Sequence, residues 1–583
     1  MPGITLLFTE DSNTSNIILF REETKFKNYS AKVLLKKDNF LLTVNKYKEY
    51  PFIFKKYKDI FYFLEGKIYN RNEPEIEKFL YQIYCDFIEN KNYEERIKNF
   101  ILTTDGEFLA GIFEKNNSLI FNDFLGRLPF YLFKDKNKFI LSRDIWIIRK
   151  FINVPEIDIN SLIEYLLFMY PLGEKTLLKN VSRLLPATCI EFKRNTLKIK
   201  KLFEWNFEEK ENIDFKSGVQ NLYSSFLNAL ENRVQTFKDY KIVLSFSGGF
   251  DSRAVFMGLK KINTEFHPVT FIDPDKKHQE DFIISKEINK IAETETKFFE
   301  IKEFNLKSMT ELIKIKQGLN YAEMGFIMDF SEMLKKELGN NIFYITGDGG
   351  DKLLPYLLPS KKLKSIDDLF QFIITKNKIF EPFEIERITG TNFNKVKEKI
   401  KEKISEYPEN NLNYRYIHFL IYERCFKWLF EGEDRNRYFF WSGTPFYSIE
   451  FFKTAVKLKD NYKKYYRLYR EFFKLLDGEI AGIRRAGFDY GIFDRKIIIR
   501  EYLKYFVLKF PFILNFLETK HRRKSFYSPT QNLYNKFTEI FEENDIVKEI
   551  FNKKALEEMK ENLNREKFFT LLTLFLYFDY LQW

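Results

Sequence analysis

Between Lys241 and Ser252 the chain reads Lys-Ile-Val-Leu-Ser-Phe-Ser-Gly-Gly-Phe-Asp-Ser, and a later segment, Thr346-Gly347-Asp348-Gly349-Gly350-Asp351, again combines glycine with carboxylate. In the first, Ile242, Val243 and Leu244 form an apolar run that stops at Ser247-Gly248-Gly249. A helical pattern of Ala254, Val255, Met257 and Leu259 begins just after Asp251-Ser252. Strand, glycine loop and helix in that order suit an anion: glycines keep Cβ atoms out of the way of backbone N–H groups, and the helix N-terminus adds its positive dipole end. Asp251 on the same loop repels a bare phosphate but suits a pyrophosphate bridged to carboxylate through Mg²⁺. In the second segment, Ile342 to Ile345 reads as a strand, three glycines in four positions permit close backbone approach, and Asp348 and Asp351 can face one pocket. Two such loops, each ending a predicted strand, point to phosphate and metal chemistry more specifically than either alone.

The elements that carry these loops follow from alternating periods after Phe215. A helix to Thr236 precedes a strand over 241–246, a helix over 252–261, a strand over 267–272 and a helix over 280–292. A strand over 297–301, helices over 305–317 and 326–338, and a strand over 341–346 complete the series. This alternation predicts a parallel sheet with ligands at the strands' carboxyl ends. Beyond Pro359 the chain reads as mainly helical to Trp583. From Met1 to about Trp205 the runs are shorter: Ile4 to Phe8, Ala31 to Leu35, Phe61 to Leu64, Leu109 to Phe113, Leu119 to Phe121 and Ile190 to Phe192 predict a β-rich domain. Helices are expected near Ile76 to Glu89 and Ser161 to Tyr170, and the mixed-charge run Phe207 to Lys216 predicts a linker.

A chain of 583 residues exceeds one core and implies two to four domains. Lys and Arg outnumber Asp and Glu by 95 to 83, but the signs are interspersed, as in Lys395 to Lys403, which reads as solvated helix faces rather than a nucleic-acid surface. Cys85, Cys189 and Cys425 form no C-x-x-C, so neither a metal ribbon nor a disulfide framework is supported, and a cytoplasmic location is expected. His267, His278, His418 and His521 show no metal spacing. Glu10 and Asp11 follow a short apolar run with no basic region before it, which argues against a signal peptide. The apolar stretches Tyr505 to Leu517 and Phe568 to Phe578 are too short to span a bilayer, so no membrane partner is expected.

Together the two loops resemble the synthetase domain of the asparagine synthetase B family, whose loops read S-G-G-x-D-S and G-E-G-x-D-E. Ser247, Gly248, Gly249, Asp251 and Ser252 match the first; Gly347, Asp348, Gly349 and Asp351 match the second, with Asp in place of Glu. The resemblance extends through Asp105-Gly106-Glu107-Phe108 and Asp123-Phe124-Leu125-Gly126-Arg127-Leu128-Pro129-Phe130-Tyr131, which look like the family's D-G-x-F and D-x-x-G-x-x-P-L-Y. Val181 to Pro186 is similar to its V-x-x-L-P-P-G. It implies an α/β protein: an N-terminal-nucleophile-hydrolase-like αββα sandwich over 1–205, a linker over 206–216, and a parallel-sheet ATP-pyrophosphatase domain over 217–583, mainly helical after 359. By the same resemblance Ser245, Ser247, Gly248, Gly249, Asp251, Ser252 and Gly347 bind ATP and its pyrophosphate. Asp251 and Asp351 hold Mg²⁺, and Asp348 lines the nucleotide or substrate side as a catalytic residue.

Departures from the family pattern narrow the reading. Residue 2, a cysteine nucleophile in glutamine-using members, is Pro2, so the chain has no glutaminase nucleophile. The family's N-G-E-I-Y-N becomes Glu65-Gly66-Lys67-Ile68-Tyr69-Asn70, and Glu65 puts negative charge where an oxyanion would develop. An inactive glutaminase half follows. In Arg484-Arg485-Ala486-Gly487-Phe488, Arg485 stands where the family's catalytic lysine steadies developing charge; arginine keeps the charge but cannot shuttle a proton. Lys352 replaces an acidic residue, and Gly443 to Ser448 lacks the Arg and Asp of R-x-P-F-L-D, so the substrate need not be aspartate.

The function expected on this resemblance is an ATP- and Mg²⁺-dependent, AMP-forming ligase that makes an amide from a small-molecule or peptide carboxylate. Its amine is free ammonia, as in asparagine biosynthesis, or an amino group on the substrate, as in lasso-peptide cyclases and β-lactam synthetases. A homodimer is an open assembly state. An ATP-dependent tRNA-modifying enzyme and a non-catalytic nucleotide-binding scaffold are the alternatives of other classes; the first usually needs catalytic cysteine pairs that are absent here.

Overall fold

The computed structural model describes the chain except residues 10–28, 38–39, 115–116, 136–137, 153, 194–195, 277–278, 510–526, 561–562 and 583. Glu10, Asp11, His278, His521 and the part of Tyr505 to Leu517 beyond residue 509 lie outside the described residues. Three sheets are formed among the described residues, two antiparallel and one parallel, followed by a mainly helical C-terminal region.

In the first sheet β1 (Gly3–Thr9), β2 (Tyr29–Lys37), β3 (Phe40–Tyr47), β8 (Tyr131–Lys134), β9 (Lys138–Ser142) and β10 (Val181–Arg183) run in the order β10-β8-β9-β1-β3-β2. In the second, β4 (Phe52–Tyr57), β5 (Ile60–Ile68), β6 (Gly106–Glu114), β7 (Asn117–Asn122), β11 (Thr188–Lys193) and β12 (Thr196–Lys201) run in the order β12-β11-β7-β6-β5-β4. The sheets face each other through aromatic side chains, Phe8 against Phe192 at 4.2 Å and Phe40 against Phe113 at 5.6 Å between centroids. Helices α1 (Glu73–Ile88) and α2 (Tyr93–Thr103) cover the outer face of the second sheet, where Phe100 packs on Phe108 and Phe121. On the first sheet's outer face, Leu7, Leu41 and Ile140 share a core with α3 (Ile145–Arg149) and α4 (Ile159–Phe168). The inner strands are covered on both faces, which is why β6 reads Phe-Leu-Ala-Gly-Ile-Phe without polar alternation.

The parallel sheet has the order β15-β14-β13-β16-β17, built from β13 (Lys241–Ser245), β14 (His267–Ile272), β15 (Lys297–Glu300), β16 (Ile342–Ile345) and β17 (Trp441–Gly443). Helices α5 (Phe215–Thr236), α6 (Phe250–Lys261), α7 (Gln279–Ala292), α8 (Leu306–Lys316) and α9 (Gly325–Leu338) connect and flank these strands. From β13 the chain moves outward through β14 and β15, then returns to place β16 on the opposite side of β13. That reversal is a topological switch point, and it opens a crevice at the carboxyl ends of β13 and β16. The fifth strand, β17, was not expected from the sequence; its three residues are buried. Helix α5 begins inside the expected 206–216 linker. No helix among the described residues is long and apolar enough to cross a membrane.

The β-rich and parallel-sheet parts are joined by buried charge. Helix Phe430–Asn436 offers Glu431, Glu433 and Asp434 to arginines from the first 183 residues. Arg127 Nε donates to Glu433 at 3.3 Å, Arg183 Nη1 to Glu431 at 2.8 Å, and Arg143 bonds Asp434. In the other direction Arg233 of α5 donates to Asp105 at 2.8 and 3.1 Å. All these groups are nearly inaccessible to solvent, so each pair offsets a large desolvation cost only while its partner is present.

His418 makes a further link, with Nδ1 3.1 Å from Glu409 and Nε2 3.4 Å from Glu204, its ring stacked between Tyr407 and Tyr422. Burial alone disfavours the imidazolium, but the bonds to Glu204 and Glu409 outweigh it and raise its pKa above the ordinary value of about 6.5. A raised folded pKa gives stability that is fully present below the unfolded pKa and lost as pH rises through the folded one. The melting-temperature gap between the wild type and His418→Gln is therefore expected to be widest near pH 6 and to close toward pH 9; a gap independent of pH would refute the assignment.

Candidate functional site

The glycine loops leave adjacent strands, β13 and β16, which pair in parallel from Lys241 with Ile342 to Leu244 with Ile345. Both therefore emerge on one side of the sheet. The first loop is braced internally: Ser252 Oγ donates to the Ser247 carbonyl at 3.0 Å and accepts from the Ser247 N–H at 3.1 Å, while the two hydroxyls lie 2.9 Å apart. Gly249 opens α6 with no side chain capping it, which leaves the first-turn N–H groups to an external anion. The second loop leads into the short helix α10 (Gly350–Leu353).

Contact between the loops depends on glycine. A Cβ on Gly347 would lie 2.4 Å from the Ser252 backbone nitrogen, and one on Gly350 would lie 2.6 Å from Asp251 Oδ1. The Asp351 N–H donates to Asp251 Oδ2 at 3.0 Å across this junction. Gly347→Ala is expected to force the loops apart at a cost of about 1–3 kcal/mol, lowering the melting temperature and ATP affinity together. Gly478→Ala, where the new methyl meets nothing within 4 Å, is the control expected to change neither.

The cleft above this junction has a volume of about 350 Å³ and is lined by Ser247, Gly249, Asp251, Ser252 and Asp351 from the two loops. Tyr466, Tyr469 and Arg485 complete its far wall. Asp251 accepts from the Tyr469 hydroxyl, and Asp351 is bonded by Lys352. Loss of hydration and the neighbouring Asp351 charge push the Asp251 carboxyl up to about 7, against the pull of Tyr469 and Lys352. Arg485 enters the cleft with its guanidinium 4.0 Å from the Phe488 ring centroid and 5.3 Å from that of Phe250; among the described residues no carboxylate pairs with it. Arg253 of α6 fixes this wall by donating to the carbonyls of Gly248, Ile483 and Arg484. Neighbouring Arg484 turns the other way, toward Glu280 and Glu287 of α7.

Of the residues singled out in the sequence, Ser247, Gly249, Asp251, Ser252, Asp351 and Arg485 meet in the cleft. Ser245, Gly248, Gly347 and Asp348 support it from outside the lining. Ser245 stands beside the Tyr344 hydroxyl, and the Gly248 N–H is taken by Asp281 Oδ1 at 2.7 Å. Asp348 Oδ2 accepts from Thr346 at 3.1 Å; lost hydration and Glu433 push its carboxyl up to about 6. Tyr466, Tyr469 and Asp281 were not foreseen. Asp281 had a signal, since it opens the helix after β14 and so stands near a strand's carboxyl end. The tyrosines, in an aromatic stretch of ordinary sequence, had none.

Asp251 and Asp351, two of the three aspartates that line the cleft, suit a Mg²⁺ ion shared with substrate phosphates, which needs only one or two protein ligands. Among the described residues no cluster of three or more His, Cys, Asp or Glu offers a cation an all-protein cage.

In the N-terminal half, Glu65 takes the place expected of an oxyanion donor and is enclosed by donors of its own. Ile4 N–H bonds it at 3.0 Å, Tyr50 Oη at 2.5 Å and Arg143 Nε at 2.9 Å. A Cβ on Gly3 would lie 2.4 Å from both Glu65 Oε1 and Arg143 Cγ, so side chains fill the space beside Pro2. Met1's amine is paired with Asp144 at 2.6 Å, both buried.

No protein-family model and no curated protein matches the chain. Among solved structures it is similar to an allosteric regulatory enzyme of purine biosynthesis, with 10% identity and a TM-score of 0.21 over 51% of this chain and 74% of that one. It is also similar to the glutamine phosphoribosylpyrophosphate amidotransferase of B. subtilis complexed with ADP and GMP, with 8% identity and a TM-score of 0.20 over 55% of this chain and 69% of that one. Likeness of this degree extends to neither activity nor site residues.

Proposed function

We propose that the chain is an ATP-dependent, AMP-forming ligase that activates a carboxylate as its acyl-adenylate and joins it to an amine without hydrolysing glutamine. The observation that carries this reading is the junction itself: two glycine-and-carboxylate loops from adjacent parallel strands, tied by the Asp351 N–H on Asp251 and opening on one cleft with Arg485 opposite. The first loop and the N-terminus of α6 would grip the pyrophosphate portion of ATP. Asp251 and Asp351 would hold Mg²⁺ there, and the ion, when bound, offsets the charge of the departing pyrophosphate. A carboxylate oxygen of the substrate attacks the α-phosphorus, and the bond to the bridging oxygen breaks with its electron pair leaving on pyrophosphate. Arg485 balances the charge that develops on the acyl-adenylate. The amine then attacks the acyl carbon, AMP departs with the electron pair of the broken bond, and the amine's proton passes to a base other than Arg485, which stays protonated.

The filled space beside Pro2 and the bonded carboxylate of Glu65 favour an amine that does not come from glutamine. Free ammonia and an amine on the substrate are its two sources. The test is the release of AMP and pyrophosphate from ATP and Mg²⁺, first with aspartate and ammonium, then with peptides and amino acids that carry both a carboxylate and an amine. Release that requires one of these acceptors is expected. ADP as the product, pyrophosphate without any carboxylate, or no turnover with any acceptor would overturn the reading.

A further inference from the structure

The first glycine loop packs directly on the segment that carries Arg485. A Cβ on Gly248 would lie 2.9 Å from Ala486 Cβ and 3.0 Å from Asp281 Oδ1, and the Ala486 N–H donates to the Gly248 carbonyl at 3.3 Å. The Arg485 segment is a closed loop of its own. A Cβ on Gly491 would lie 2.0 Å from the Gly482 carbonyl oxygen, and the Arg485 N–H donates to the Tyr490 carbonyl at 3.2 Å. Arg500 fastens this loop from outside, donating to Tyr490 Oη at 2.7 Å and lying 4.1 Å from the centroid of the Phe488 ring that Arg485 also covers. From inside, a single side chain joins it to the first loop. Arg253 Nη2 donates to the Gly248 carbonyl at 3.1 Å and to the Arg484 carbonyl at 2.8 Å, while Nη1 donates to the Ile483 carbonyl at 2.5 Å. Satisfying carbonyls does not require a charge, yet this group carries one. Arg253 is 0% exposed, and among the described residues no carboxylate lies within ion-pair distance of it. Burial, joined by the repulsion of Arg485, lowers its pKa to about 10, so it remains a cation at neutral pH. Glu287 attracts it from farther off, but that acid is bonded to Arg484 and open to solvent. Arg253 also stands near the positive end of α6, where a cation is disfavoured. A buried charge placed against these costs is offset when an anion comes near it.

We infer that Arg253 is a positioning residue that acts through Arg485: its guanidinium fork sets the spacing between the first loop and Arg485, so that the two close on one pyrophosphate group. Asp251 stands two residues earlier in the same helix, so the proposed metal ligand and the cation opposite it are both registered on α6. A planar fork fixes that spacing where a flexible ammonium would not. The precision matters, because a displacement of about 1 Å at a reacting centre can cost about 10²-fold in rate. The inference rests on the proposed ligase for the origin of the pyrophosphate in ATP, but the grip on pyrophosphate does not need turnover.

Its test therefore begins with binding. Full-length protein is labelled with phenylglyoxal, which modifies accessible arginines, over a range of pyrophosphate concentrations with Mg²⁺, and modification of Arg485 is read by mass spectrometry. Pyrophosphate is expected to protect Arg485 in the wild type. Arg253→Lys keeps the cation without the fork, and should raise the pyrophosphate concentration for half-protection about 10- to 100-fold, the size of a lost hydrogen bond to a charged group. Hydrogen exchange in the wild type is the measurement that needs no variant to fold: pyrophosphate should slow exchange in residues 248–252 and 485–488 together. Slowing confined to the first loop, an unprotected Arg485, or undiminished protection in a folded Arg253→Lys protein would each overturn the inference. Where ligase turnover is found, Arg253→Lys/Arg485→Met should be no slower than Arg485→Met alone, since a positioning residue has nothing left to position; additive losses would mark Arg253 as merely structural. Protection that depends on Arg253 without turnover on any acceptor would leave this grip standing and the ligase reading fallen. Turnover with protection independent of Arg253 would do the reverse.

Discussion

Asp251→Asn is expected to cut pyrophosphate release by about 10²- to 10³-fold, the loss typical of removing one preorganised electrostatic group. The side chain keeps its size; its one remaining oxygen can accept from the Asp351 N–H while the Tyr469 hydroxyl turns to accept from the new amide nitrogen. The formal charge is what disappears, and with it half of the proposed Mg²⁺ ligation. Raising Mg²⁺ should recover part of the activity of Asp251→Asn and none of the activity of Arg485→Met, whose defect lies on the other wall. The measurement is pyrophosphate release against Mg²⁺ concentration, alongside a melting curve. Wild-type turnover in a folded Asp251→Asn protein would show that the junction is not where pyrophosphate leaves.

Arg143→Met is expected to be the most damaging change away from the cleft, costing about 3–5 kcal/mol, as breaking a buried ion pair does. Arg143 donates to Glu65 of β5 and bonds Asp434 of the helix Phe430–Asn436, and all three are almost fully buried. Glu65 would keep Tyr50 and the Ile4 N–H but lose the cation bonded to it, and Asp434 would keep Lys316 at 2.7 Å but lose one of the two cations that bond it. In a chain of several cores the loss is best read from soluble yield and the first urea transition rather than from a single two-state fit. Arg143→Lys should recover only part of it, because the ammonium cannot reach both carboxylates as the guanidinium fork does. Lys496→Met, at an exposed pair with Asp489, is the reference expected to behave like the wild type.

The residues most legible in the sequence were those whose environment is written locally. Strands β13 and β16 are covered on both faces, so each reads as an unbroken apolar run, and the glycines that end them are demanded by close backbone approach. The loops could therefore be located, and the fold brings them together. Edge strands were harder. β4 and β12 carry lysines toward solvent and lack the apolar weight of their neighbours, and β17 is a three-residue strand hidden in the aromatic run Tyr438 to Trp441. The wall formed by Tyr466 and Tyr469 was illegible for another reason: Tyr466 is the left-handed residue that precedes the amphipathic helix Arg467–Gly482, Tyr469 lies in that helix's first turn, and only tertiary placement turns Tyr469 toward Asp251. Arg127, Arg143 and Arg183 sit in or near segments whose resemblance was read as glutaminase-like, yet their side chains serve contacts with residues 431 to 434. No local pattern announces a partner so distant along the chain.

That distance bears on how the protein is made. Arg127 and Glu433 are 306 positions apart, and Arg143 and Asp434 are 291 apart. At ribosomal speeds of about 5–20 residues per second, Arg127 and Arg143 wait roughly 15–60 s for the acidic helix that pairs with them. During that interval a nascent sandwich must either hold several guanidinium groups in water, with its sheets unclosed, or be sheltered by a chaperone. The contact between the two halves of this polypeptide thus waits for its fifth hundred residues, however quickly the first two hundred acquire their strands.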